Sequence, residues 1–542
     1  MNPRGYGGKL FFSLLLFTFG LVNTAALAQD TVIVGMHQEL EFLNVIYTQG
    51  GNSLSASKLA QRGLLFLDED SNWIGELATE VPSLANGGIS EDGTSVTYNL
   101  REGITWHDGT PVTSADVKAT WEMIMNPANA VVTRFGYDRI TSIDTPDDLT
   151  VVLNFEEPFT SWPILFDAIV PQHVIEANSP DLDRSEAMRT PIGFGPFRIT
   201  QWRTGEFIEY EAFDDYWRGR PKIDRLVIQI YPSVDALMQA VAAKEVDIAW
   251  SVPASYVPQV RELEDQGIRL VTASRATAER YVMNADASEA PLFADQQLRK
   301  ALHHAIDKQL IVDELLYGLA DVAVSEWQGS PWQNPDLPAY EYDPERASAM
   351  LDDLGWVVGS GGIREKDGQR LSFVHKTTVG NLLRENVQLL VQQLFRDVGV
   401  EMIIDNQRTA DLFGTWHQGG HWSQGNYEMG GWSHGLRVPD PEISNRFLCS
   451  EIASETNQAG SQWFRYCNPD IDALLEEQAV TLDADARKQL LFEAQAIFHD
   501  DAYVIYLYAA PLIYTVREEV RNFTLHRFAN FYWNPHEWVL EQ

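Results

Sequence analysis

Apolar and polar residues alternate along Ser95-Val96-Thr97-Tyr98-Asn99-Leu100, the period of a strand with one buried face. Asp92-Gly93 before it and His107-Asp108-Gly109-Thr110-Pro111 after it read as turns. Thr113, with Asp116 three positions on, matches a capping box, so a helix is expected to start there. It should stop at Asn126-Pro127, because proline disfavours helical backbone in the residue before it. A first strand is expected over Thr31 to Val34. From Leu298 onward, Leu298, Ala301, Leu302, Ala305, Ile306 and Leu310 recur at helical spacing. They predict one long helix closed by Gly318. Asn468-Pro469 forms an N-cap and first-turn pair. Leu490, Leu491, Ala494, Ile497 and Phe498 then lie on one face of a helix between Arg487 and His499. Interleaved strands and helices predict layered α/β architecture, and 542 residues suggest several domains.

The N-terminus changes the setting. Arg4 and Lys9 precede an apolar run over Leu10 to Leu21, and Ala26-Leu27-Ala28 stands before Gln29. This is the order of a secretory signal peptide over 1–28, so an exported, periplasmic protein is expected. The run is short for a membrane span. The net charge of −37 argues against nucleic acid and anionic membrane surfaces as partners and reads as a solvated surface. Cys449 and Cys467 are the two cysteines; in an oxidising compartment an even count suggests one disulfide. The other reading, a metal pair, lacks Cys-x-x-Cys spacing and a second pair.

The block from Leu77 to Pro127 carries more than its elements. An acidic-Gly turn, a strand, Arg101-Glu102-Gly103, Trp106-His107-Asp108-Gly109, a Thr-Pro step and Ser114-Ala115-Asp116-Val117 follow in close register. Further blocks are Pro191 to Phe197, Tyr210 to Trp217 followed by Arg218-Gly219-Arg220-Pro221, Leu298 to Gly318, Asn468 to Asp472, and a strand over Tyr503 to Tyr508. Together they resemble family 5 of the bacterial extracellular solute-binding proteins, periplasmic dipeptide, oligopeptide and nickel receptors that feed ATP-driven importers. The resemblance implies a two-lobed periplasmic-binding-protein α/β fold, a venus-flytrap, with an extra subdomain inserted in the first lobe. Residues 29–75, 193–280 and 509–542 would form lobe 1, 76–192 the inserted subdomain, and 281–508 lobe 2. The lobes would be joined near Ala276-Thr277-Ala278 and Tyr508-Ala509-Ala510. The resemblance also implies a monomeric, non-enzymatic receptor without a cofactor, with ABC permease subunits of the inner membrane as partners.

The densest candidate site is Thr415 to Asp440, with Trp416, Trp422, Trp432, His417, His421, His434 and Arg437 among several glycines. Glycine lets backbone approach a ligand, and tryptophan supplies stiff pocket walls; ordinary core packing is the competing reading for each ring. In peptide-binding members of the family an aspartate three residues after a Gly-Trp pair holds the peptide's amino group. Here Gly431-Trp432 is followed by Ser433, His434 and Gly435, so that anchor is absent and Asp440 is the acid left nearby. Arg437 is a candidate carboxylate clamp. His417 and His421 have helical ligand spacing, but Gly419-Gly420 lies between them, and no metal site is expected. His303 and His304, as neighbours, point apart. His37 and Gln38 follow the first strand, whose end borders the cleft in this family. Three solute classes follow: a peptide or amino-acid-derived solute, an oligosaccharide, and a nickel or other metal chelate. A periplasmic hydrolase is the rival of another class; the chain has no His-Glu-x-x-His run and no nucleotide-binding Gly-x-x-x-x-Gly-Lys-Ser/Thr loop.

Overall fold

The computed structural model describes residues 30–541 apart from 41, 49–50, 130, 180–181, 183–184, 415, 437–438, 459 and 530. The expected signal peptide over 1–28 and the candidate Arg437 lie outside the described residues.

Ten strands form one mixed sheet. In chain order they are β1 (Thr31–Met36), β2 (Phe197–Arg203), β3 (Phe207–Ala212), β4 (Arg225–Ile230) and β5 (Ile248–Ala249). Then come β6 (Ile268–Met283), β7 (Ser372–Lys376), β8 (Glu401–Ile404), β9 (Met429–Gly435) and β10 (Val504–Arg517). Across the sheet the order is β8-β7-β9-β6-β10-β5-β1-β4-β3-β2. β1 lies parallel to β4 and β5, and β7 parallel to β8 and β9, whereas β6 is antiparallel to both β9 and β10.

β6 and β10 are long because each belongs to two halves of the sheet. Ile268–Ser274 pairs with Pro511–Arg517, and Ala278–Val282 pairs with Val504–Ala509. Between Ser274 and Ala278 the register shifts, leaving Arg275, Ala276 and Thr277 out of the β6–β10 ladder. Such an irregularity bends a strand and re-aims its side chains. It coincides with the positions where the two lobe crossings are expected. One half packs Val32, Val34, Ile208, Leu226, Tyr514 and Trp538 into a core. The other buries Leu298, Leu302, Phe373, Val391, Phe395 and Ile505. A further cluster gathers Trp422, Trp432, Phe464 and Phe498.

Local sequence explains the smaller elements. Ser95–Asn99 is a strand whose buried residues are Val96 and Tyr98, paired with Thr150–Phe155. α1 (Ser114–Met125) covers this sheet and stops before Asn126-Pro127. The Asp116 carboxylate accepts from the Thr113 N–H at 2.8 Å and from the Gln172 N–H at 2.7 Å, so the capping acid also fixes a neighbouring segment. The long helix expected from Leu298 to Gly318 is instead two helices, α2 (Gln296–His304) and α3 (Lys308–Leu315). Asp307 accepts from the Leu310 N–H at 2.9 Å and begins a new helix. Ala305 and Ile306 stay buried across the break, so the apolar stripe conceals it. His303 faces the Ala502 carbonyl and His304 the Glu341 carbonyl, at 3.1 and 2.8 Å. α4 (Leu382–Asp397) covers the second half of the sheet, and α5 (Pro469–Val480) and α6 (Ala484–Asp501) pack as a pair. Cys449 and Cys467 form a disulfide. Among the described residues no helix is long and apolar enough to cross a membrane.

Candidate functional site

A cavity of about 520 Å³ lies at the register shift of β6. Its floor is Arg275 and Thr277 with Ser433 to Leu436 at the end of β9. On the other side stand Lys58, Phe66, Trp73, Arg527 and Tyr532. Phe66 and Trp73 are placed by a short hairpin, Leu65–Leu67 against Trp73–Gly75.

β9 meets β6 in antiparallel register, with Gly435 opposite Thr277, His434 opposite Ala278 and Ser433 opposite Glu279. A Cβ at Gly435 would overlap the Ala276 carbonyl oxygen and lie 2.6 Å from Thr277 Cα, so no side chain fits there. This is the position, three residues after Gly431-Trp432, at which the resemblance implied an amine-pairing aspartate. His434 Nδ1 contacts the Glu326 carboxylate, whose second oxygen contacts Arg280. A carboxylate only accepts, so the neutral imidazole carries its proton on Nδ1. Burial pushes the His434 pKa down to about 4. Burial opposes the charge of Glu326 as well, but Arg280 and His434 beside it hold its carboxyl well below the usual carboxylate range. Glu279 takes a fork from Arg384 at 2.9 and 3.1 Å, and the same guanidinium donates to Ser433 Oγ at 3.1 Å.

Gly431-Trp432-Ser433-His434-Gly435 has the Gly-x-Ser-x-Gly spacing of a nucleophile elbow, the signature a hydrolase would need. The geometry differs. Ser433 lies inside β9 rather than at a strand-to-helix turn, its hydroxyl accepts from Arg384, and His434 faces Glu326. This motif supplies no nucleophile–base pair.

Of the sequence candidates, His434 alone lines this cavity among the described residues. Trp422 and Trp432 are buried in the core, with ring centroids 4.7 Å apart. Trp416 is half-buried beneath Arg465, 5.7 Å from the ring. Asp440 is buried and accepts from Ser161 Oγ at 2.7 Å and the Glu442 N–H at 2.9 Å, with Arg487 at 3.7 Å. Its carboxylate thus ties residues 161 and 487 together away from the cavity. His37 is half-buried, and Gln38 is exposed and accepts from Asn52. His417 is exposed, and Gly419, at φ +75°, interrupts the spacing to His421. Among the described residues no group of three or more His, Cys, Asp or Glu side chains could hold a metal.

Nothing in the sequence pattern marks Arg275, Lys58, Phe66, Trp73, Arg527 or Tyr532 as cavity residues. Arg275 stood one residue from the expected crossing, but nothing in the sequence period showed where it would point. Lys58 pairs with Asp167, and Arg527 donates to the Gly329 carbonyl. Among the described residues Arg275 has no carboxylate partner, and its buried Nε has no hydrogen bond. Burial lowers its pKa.

A sheet shared by two cores, with a cavity where its long strands pass between them, defines a two-lobed solute-binding protein. The model for the middle region of the bacterial extracellular solute-binding proteins, family 5, matches residues 76–453, and the chain belongs to that family. It is similar to the oligopeptide-binding protein AppA of Bacillus subtilis, at 29% identity over 381 residues, 68% of each protein. The solved structure of B. subtilis AppA with a nonapeptide superposes with a TM-score of 0.75 at 24% identity, covering 95% of this chain and 100% of that one. NikZ from Campylobacter jejuni, in complex with Ni(L-His), superposes at 0.77 and 23% identity, covering 94% and 99%. These neighbours share the two-lobed mixed α/β fold.

Proposed function

We propose that this protein is the solute receptor of an ABC importer, and that it captures a peptide or amino-acid-derived solute in the cavity at the β6 register shift. The solute is passed intact to permease subunits in the inner membrane. One observation carries this reading: the cavity is walled by Arg275 and Thr277 of β6 with the end of β9, and by Lys58, Phe66, Trp73, Arg527 and Tyr532 from segments outside the ten-stranded sheet, so a molecule inside it touches both. Only a closed arrangement makes both sets of contacts, and solute therefore shifts an open–closed equilibrium towards closure. A volume of about 520 Å³ falls in the range of about 300–1,000 Å³ that encloses one small ligand. The oligopeptide-binding relative supports the solute class. In this reading 1–28 is a cleaved leader and the mature protein is a periplasmic monomer. Lobe 1 comprises 29–75, 193–280 and 509–542, the inserted subdomain 76–192, and lobe 2 281–508.

Native mass spectrometry of freshly purified protein tests the proposal. The expected result is a co-purified mass that leaves on denaturation and is recovered unchanged after long incubation. Chemical conversion of that molecule would overturn the receptor in favour of a hydrolase.

A further inference from the structure

We propose that the solute is an anion that docks a carboxylate on Arg275 and carries no free ammonium group; this rests on the receptor reading and narrows its substrate class. The protein as a whole has a net charge of −37, yet its cavity is cationic. Lys58, Arg275, Arg446 and Arg527 line it, against the single carboxylate of Asp167. That carboxylate is already taken by Lys58. Glu326, in contact with the lining residue His434, and Glu279, opposite Ser433, are held by Arg280 and Arg384. Among the described lining residues an ammonium group entering the cavity would meet no unengaged carboxylate.

Arg275 is the opposite case. It lies in the stretch that leaves the β6–β10 ladder, which turns its side chain into the cavity wall. No carboxylate of the described chain pairs with it. The residue is half-buried with a buried Nε that has no hydrogen bond, a cost that a ligand acceptor would remove, and its planar fork matches a carboxylate with two parallel N–H donors. None of the described residues supplies that counter-charge, and a carboxylate on the solute would. Gly435, on the cavity wall, offers no acid either: a Cβ there would overlap the Ala276 carbonyl oxygen.

The test is a thermal-shift and calorimetric panel of di- to tetrapeptides in four forms: free, N-acetylated with a free carboxylate, amidated with a free amine, and blocked at both ends. The panel is run on the wild-type protein, Arg275→Gln and Arg275→Lys, with circular dichroism confirming that each variant is folded. The expected result is that N-acetylated acids stabilise the wild type at least as well as free peptides. Affinity should fall at least ten-fold in Arg275→Gln and less in Arg275→Lys. Binding of the amides as tight as that of the N-acetylated acids, or unchanged affinity in Arg275→Gln, would overturn the proposal while leaving the receptor intact. A panel in which no member binds would remove the peptide-type receptor reading and this proposal together.

Discussion

Gly435 faces Thr277 across the β6–β9 ladder so closely that a Cβ would lie 2.6 Å from Thr277 Cα. The clash is with backbone, which cannot rotate aside as a side chain would. Gly435→Ala should therefore destabilise by about 1–3 kcal/mol, the usual cost of overpacking. Gly435→Asp should lower the melting temperature further and give no gain in affinity for free-amine peptides. Urea denaturation and calorimetry read the two effects separately.

Trp432 packs against Trp422 and Phe464 and is buried. Trp432→Ala should cost about 3–5 kcal/mol of stability, as large-to-small core changes do. Loss of solute affinity with an unchanged denaturation midpoint would instead place the ring at the solute.

Glu326 is fully buried between Arg280 and His434. Removing its charge strands the Arg280 guanidinium in the core. Glu326→Gln should destabilise by about 3–5 kcal/mol, as expected for breaking a buried pair. The doubly changed Glu326→Gln, Arg280→Met protein should recover part of that loss in the same denaturation assay.

Burial depresses several imidazoles: His107, His434 and His526 to about 4, and His375 to about 3. In the unfolded chain they return to about 6.5. Between those values the unfolded chain binds more protons than the folded one, so stability rises with pH across that window. It should be fully present above about pH 6.5 and be lost as pH falls towards 4. The buried carboxyls of Asp116, Asp247, Glu279 and Asp440 are pushed up by burial and act with the opposite sign at the acid end. The expected observation is a lower melting temperature at pH 5.5 than at pH 7.5. An unchanged or higher value at pH 5.5 would contradict neutral burial of these rings.

Cys449 and Cys467 close a loop with a sequence separation of 18. In the chain-entropy model such a link contributes about 3 kcal/mol. Replacing both with serine should lower stability by that order, and thiol titration of the denatured, unreduced protein should find no free thiol.

Elements written in local chemistry were legible in the sequence. The alternation of Ser95 to Asn99 and the Thr113–Asp116 cap needed no tertiary knowledge, and the family blocks implied the lobes. What failed was long-range. β5 is a two-residue strand that exists only because β1 and β10 flank it. Asp307 could be read as a helix start only once the apolar stripe was known to run across a break. Aromatic composition is the same for a core and for a pocket wall, so sequence alone does not separate the buried Trp422 and Trp432 from Phe66 and Trp73 on the cavity wall. Arg275 was invisible because its direction is set by a mismatch between two strands more than two hundred positions apart in the chain.

β6 and β10 are bonded to each other on both sides of that mismatch. In the proposed open–closed motion they would not slide or swing as separate straps; the two halves, as jaws, would rock about a common axis through the gap in the ladder. A group gripped at the pivot is displaced least as the jaws move. Arg275 stands in that gap, so the proposed carboxylate would stay in register while the remaining walls sweep in around the rest of the molecule.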